Sequence, residues 1–135
     1  MSYGVTFGSW ARLGDEDQSI AAASSHAMGV IDNAGKISTE VSVQVAFNGS
    51  ATLGADIIVE REYDGNVTPL YEATAGAPWI VPMPFLAGAT YQRVITLPAD
   101  MVGSAQVRVR NNQAATHAIT VNAWVRQSTF DENLT

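Results

Sequence analysis

The chain has no cysteine, one lysine and two histidines in 135 residues. The missing thiols exclude disulfide staples, thiolate metal sites and cysteine nucleophiles. A zinc centre needs more ligands than His26 and His117 can supply, so neither metal nor cofactor is expected. Basic residues are also few, 7 against 13 acids, for a formal charge of -6. Nucleic-acid affinity comes largely from neutralising phosphates, so nucleic acid and anionic membranes are both poor partners. No apolar run reaches the length of about 18 residues that spans a bilayer. The opening "MSYGVTFGSWARLGDED" lacks a basic stretch followed by an apolar one. No signal peptide is therefore expected, and synthesis is placed in the cytosol.

What is present is β-pattern. In "KISTEVSVQVAF", Ile37, Thr39, Val41, Val43, Val45 and Phe47 fall on one face and polar or small residues on the other. That period of two describes a half-buried strand. "GADIIVEREYDG", "VTPLYEAT", "PWIVPMPFL", "ATYQRVITLP", "AQVRVR" and "THAITVNAWVRQ" follow, each bounded by Gly, Pro, Asn or Asp. Proline cannot donate to a ladder, so the segment holding Pro78, Pro82 and Pro84 is expected at a sheet edge. "QSIAAASSHAMGVID" is read as strands around residues 19–22 and 26–31. About eight strands with regular turn signals predict an all-β fold, an antiparallel β-sandwich. A jelly roll is the first choice of topology and an immunoglobulin-like sandwich the second.

One domain is expected over residues 18–130, after an N-terminal arm (1–17) and before a polar tail (131–135). The arm carries Tyr3, Phe7 and Trp10, which are costly to leave in water. It is expected to add a strand to the domain or to dock on a neighbour.

Catalytic groups do not converge. Asp15, Glu16 and Asp17 lack the alternating ligands and glycine of an EF-hand loop and read as a solvated loop before a strand. Asp56, Glu60 and Glu62 share a strand face with an arginine interleaved, as on a solvated sheet. No serine, histidine and acid can be assembled into a triad from sequence alone. The chain is expected not to be an enzyme. Contact residues are more evident. With Val107, Val109, Val121 and Val125 inward, Arg108, Arg110, Trp124 and Arg126 point outward. If "AQVRVR" and "ITVNAWVRQ" form a hairpin through "NNQAA", these four share one face, and arginine with tryptophan is the composition of an interaction hot spot. Tyr3, Phe7, Trp10, Trp79 and Phe85 complete the expected protein-interface set. The same aromatics also match a sugar-stacking platform, which makes a carbohydrate-binding β-sandwich module the alternative.

The stretch "ATYQRVITLPADMVGSAQVRVRNNQAATHAITVNAWVRQ" resembles the end of small β-sandwich virion proteins of tailed bacteriophages. A strand ending "ITLPAD", then "AQVRVRNN" and "AITVNAWVR", is similar to the capsid decoration, or cement, class. The resemblance covers roughly the last third of the chain and carries no site residue across. It implies location in the virion, homo-oligomers (trimers favoured), and the major capsid protein or another virion protein as partner.

Overall fold

The computed structural model describes residues 2–63, 66–69, 79–97 and 104–133. Among these the chain forms ten strands and no helix: β1 (Ser2–Phe7), β2 (Ala11–Ile20), β3 (Ser25–Asp32), β4 (Lys36–Ala46), β5 (Ala55–Tyr63), β6 (Asn66–Pro69), β7 (Trp79–Pro82), β8 (Thr90–Thr96), β9 (Ser104–Asn111) and β10 (Ile119–Asn133). All strand pairs are antiparallel. They build two sheets packed face to face, an antiparallel β-sandwich.

In the first sheet the order is β10–β4–β8, and the other edge of β10 pairs with β1 and β2 in turn. In the second the order is β3–β9–β5, and the far edge of β5 pairs with β6 and β7. The alternation of β4 is realised from Thr39 onward: Val41, Val43 and Val45 are fully buried between the sheets, whereas Ile37, expected inward, is exposed near the start of the strand. They meet Val121 and Ala123 of β10, Ile57 and Val59 of β5, and Val107 and Val109 of β9 in one core. Each of these valines and isoleucines contributes about 1.5–3 kcal/mol by leaving water. The proline-bearing β7 is an edge strand, paired only to β5 among the described residues.

Residues 2–20 supply β1 and β2, so the boundary expected at residue 17 falls inside β2, and Leu13 belongs to the core. Residues 131–133 are likewise paired, to β1. β2 is broken by a bulge: Gln18 opposes Val121, yet Leu13 opposes Ala123. The extra residues loop out, with Gly14 at φ 77° and Asp17 at φ 50°. Gly14 is required there for a second reason, because a Cβ would lie 2.4 Å from the carbonyl oxygen of Met28.

The largest correction concerns β9 and β10. They do not form the expected hairpin. β9 pairs with β3 and β5, β10 with β4, β1 and β2, so consecutive strands lie in different sheets. Buried amides lead the chain across the end of the sandwich. Asn111 Nδ2 donates to the carbonyls of Ile20 (3.1 Å) and His117 (2.9 Å), and its Oδ1 accepts from the Gln113 backbone (3.1 Å). Gln113 Nε2 donates to Leu53 O at 2.6 Å. These residues read as a polar turn in sequence, but besides bonds within the turn they reach Ile20 at the end of β2 and Leu53 in the loop before β5. Both Asn111 and Gln113 are buried, which turn residues of a simple hairpin are not.

Candidate functional site

Separating β9 from β10 also separates the arginines. Arg108 and Arg110 lie on the outer face of the second sheet; Trp124 and Arg126 lie on the outer face of the first. Trp124 keeps its outward direction because the bulge is taken up in β2. The pairing of β10 with β4 runs without a shift from Thr120 to Ser128, so alternation along β10 is preserved.

On the first sheet the outer residues line up in rows across the strands. Arg12, Trp124, Ser42 and Val94 make one row, from β2 through β10 and β4 to β8. Arg126, Glu40 and Thr96 make the next, and Asn122, Gln44 and Gln92 the row on the other side. Trp10, just before β2, stands beside Arg126. The Arg126 guanidinium lies 4.6 Å from the Trp10 ring centroid, and that of Arg12 lies 5.2 Å from the Trp124 ring. Two Trp-x-Arg segments, Trp10–Arg12 and Trp124–Arg126, thus run antiparallel, and each arginine covers the other segment's indole. Cation–π contacts of this type are worth about 0.5–1 kcal/mol when exposed and more when desolvated.

The charges are held. Arg126 Nη2 pairs with Glu40 Oε1 at 2.7 Å. Arg12 Nη1 donates to Asn122 Oδ1 at 2.8 Å. That oxygen also accepts from the Asp17 backbone (2.8 Å), while Asn122 Nδ2 donates to Asp17 Oδ1 (2.9 Å). The looped-out segment of β2 therefore folds over Asn122, which explains why an outward residue is buried. Arg126 Nε is buried without a hydrogen bond. The Trp10 ring lies over the same guanidinium.

Between these groups lies a shallow groove of about 320 Å³, lined by Trp10, Trp124, Ser42, Gln92 and Val94. Ser42 is the small residue in its row and leaves a trough between Trp124 and Val94. Gln92 Nε2 donates to Ser42 Oγ at 2.6 Å.

The second sheet presents a plainer outer face. Arg108 Nε approaches Glu60 Oε1 at 3.4 Å, Nη1 donates to Ser25 Oγ (3.2 Å) and Nη2 to Gln106 Oε1 (3.4 Å). Arg110 is exposed opposite Asp56, whose carboxylate accepts from Asn112 (3.0 Å). Here Arg108 pairs with a nearby acid, amide and hydroxyl, as on any solvated sheet.

The other expected contact residues divide. Phe7 is 73% exposed and Trp10 38% exposed. Tyr3 pairs through its backbone with Glu132. Trp79 instead packs against the core; Phe85 is 38% exposed, as Trp10 is, with its ring edge-on to Phe47 at 4.9 Å. Sequence reading overlooked Arg12, Ser42 and Gln92. The repeated Trp-x-Arg was a usable signal for Arg12; nothing local marked the other two.

His26 is exposed on β3. Among the described residues no group of three or more His, Cys, Asp or Glu is placed to hold a metal ion. Comparison of the chain with protein-family models, with curated proteins and with solved structures finds no match.

Proposed function

We propose that this protein is a structural contact protein of the virion class, a capsid decoration protein that acts as a homo-oligomer, with a trimer favoured. The observation that carries the contact role is a ribbon at one end of the first sheet. Pairing of β10 with β4 stops at Thr129 opposite Lys36, whereas pairing with β1 continues to Asn133 opposite Ser2. Beyond Thr129, β1 and β10 have no third strand among the described residues. A two-stranded ribbon is marginal in water without something to pack against. Val5, opposite Phe130, is exposed on the ribbon, and Phe7, opposite Ser128 where β4 still pairs, is exposed at its base. A recess of about 290 Å³ at its root is lined by Thr6, Lys36, Val125, Gln127 and Thr129, among others. A neighbouring copy or shell subunit seated on the ribbon would cover this apolar surface.

The winding supports the same reading. Apart from β1 and the four-residue β6, which also pairs with β5, the strands are ordered β2–β10–β4–β8 and β3–β9–β5–β7. We read this as a jelly roll, an architecture used by viral capsid and lectin domains.

Co-sedimentation with undecorated shells of the parent phage tests the proposal. Saturable binding at a fixed ratio to capsomers is expected; absence of binding overturns the virion reading. Sedimentation of the free chain against a version lacking residues 1–7 tests the ribbon. The cut ends before Leu13, so the core is spared. A full-length oligomer and a truncated monomer are expected, and monomers in both remove self-association from the proposal.

A further inference from the structure

We infer that the groove over Ser42 is a binding site for a neutral pyranose of a glycan chain. Its volume, about 320 Å³, is at the small end of ligand clefts, which run from about 300 to 1,000 Å³. Trp124 and Val94 stand two strand spacings apart, about 9–10 Å between backbones. Once side chains occupy that width, a flat ring fits and an α-helix, about 10–12 Å across, does not. The groove lies on a sheet face, so an added β-strand cannot pair there.

The lining selects the chemistry. Two indoles and Val94 present apolar surface to the C–H face of a sugar ring. Gln92 spends one N–H on Ser42. Its other N–H and its carbonyl oxygen have no partner among the described residues and can donate to and accept from sugar hydroxyls. Ser42, only 2% exposed, forms the floor of the groove and accepts from Gln92. None of the lining residues is charged, and the nearby Arg12, Arg126 and Glu40 are engaged with Asn122, the indoles and one another. An ionic ligand would find no free counter-charge in the groove. The Arg12 and Arg126 contacts also hold the two indoles in place, so little ordering is left for binding. The site is separate from the ribbon, and either proposal can fail without the other.

The test is a glycan array carrying neutral gluco-, galacto-, manno- and N-acetylglucosaminyl oligosaccharides beside sialylated and sulfated ones. Tryptophan emission is then followed as the free trisaccharide of the best-retained series is added to the intact protein. Retention of a neutral series is expected, with half-saturation at about 1 mM or below. W124A and Q92A should weaken it about tenfold or more, while R110A on the opposite sheet leaves it unchanged. Gln92 is an exposed side chain, so Q92A keeps the test valid even if W124A folds poorly; thermal melting identifies that case. The inference is overturned if no glycan is retained, if only anionic glycans are, if Q92A binds as well as the parent chain, or if a proline-rich peptide takes the groove and neutral glycans do not.

Discussion

The two outer faces of the sandwich carry nearly the same sequence rhythm and come out differently. β9 reads Val-Arg-Val-Arg and places Arg108 and Arg110 on the second sheet. β10 reads Trp-Val-Arg and places Trp124 and Arg126 on the first. Arg108 is bordered by Glu60, Gln106 and Ser25, which turn its guanidinium into one more hydrogen-bonded surface group. Arg126 is bordered by Trp10 and Glu40, and Trp124 by Arg12 and Ser42. What an outward arginine does is therefore decided by the strands on either side. A small residue beside an aromatic one makes a trough; an acid beside an arginine makes a flat ion pair.

The comparison depends first on β9 and β10 lying in different sheets, and replacing Asn111 by alanine is the strongest way to break it. In a hairpin this asparagine would be a solvated turn residue and its loss nearly silent. Here three backbone groups lose a buried partner, each worth about 1–3 kcal/mol when left unsatisfied. A loss of about 3 kcal/mol or more is expected in denaturant melts. A loss of only a few tenths would return the four residues to one face.

Trp124→Ala is next in size. A fully buried tryptophan costs about 3–5 kcal/mol on truncation, but Trp124 is half-buried with a cation over its ring. About 1–2 kcal/mol is expected, below the value for a core position. A cost at the core level would mean that the indole packs between the sheets.

The smallest effect sharpens the contrast most. Double-mutant cycles on Arg126 with Glu40 and on Arg108 with Glu60 should both give small couplings, about 0.2–1 kcal/mol for partly exposed pairs. The first should be the larger, because its contact is 2.7 Å against 3.4 Å. Replacing Trp10 by alanine should reduce the Arg126–Glu40 coupling and leave the Arg108–Glu60 coupling alone. Equal couplings, both insensitive to Trp10, would show that the two faces are electrostatically alike.

Much of the fold was legible because a half-buried strand writes its facing into its period. Val41, Val43 and Val45 were inward on that ground alone, and so were Val107, Val109 and Val121. Trp124 was outward for the same reason. The proline edge followed from the missing N–H, and β7 sits at an edge. The candidate site was half legible. Trp10, Trp124 and Arg126 were singled out, but Arg108 and Arg110 were joined to them through a hairpin that does not exist, and Trp79 proved to pack on the core.

Alternation says which way a side chain points relative to its own sheet. It does not say which sheet that is, because inward residues of either sheet face the same apolar layer and follow the same period. Strand identity, inward and outward facing, and the absence of thiol chemistry were thus determined by the sequence itself. Sheet membership was decided by long-range contacts: the buried amides of Asn111 and Gln113, the bulge that lets β2 fold over Asn122, and the pairing of β10 with β4 and β2. Only those contacts bring Ser42 and Gln92, unremarkable in their own strands, beside two tryptophans and open a groove between them.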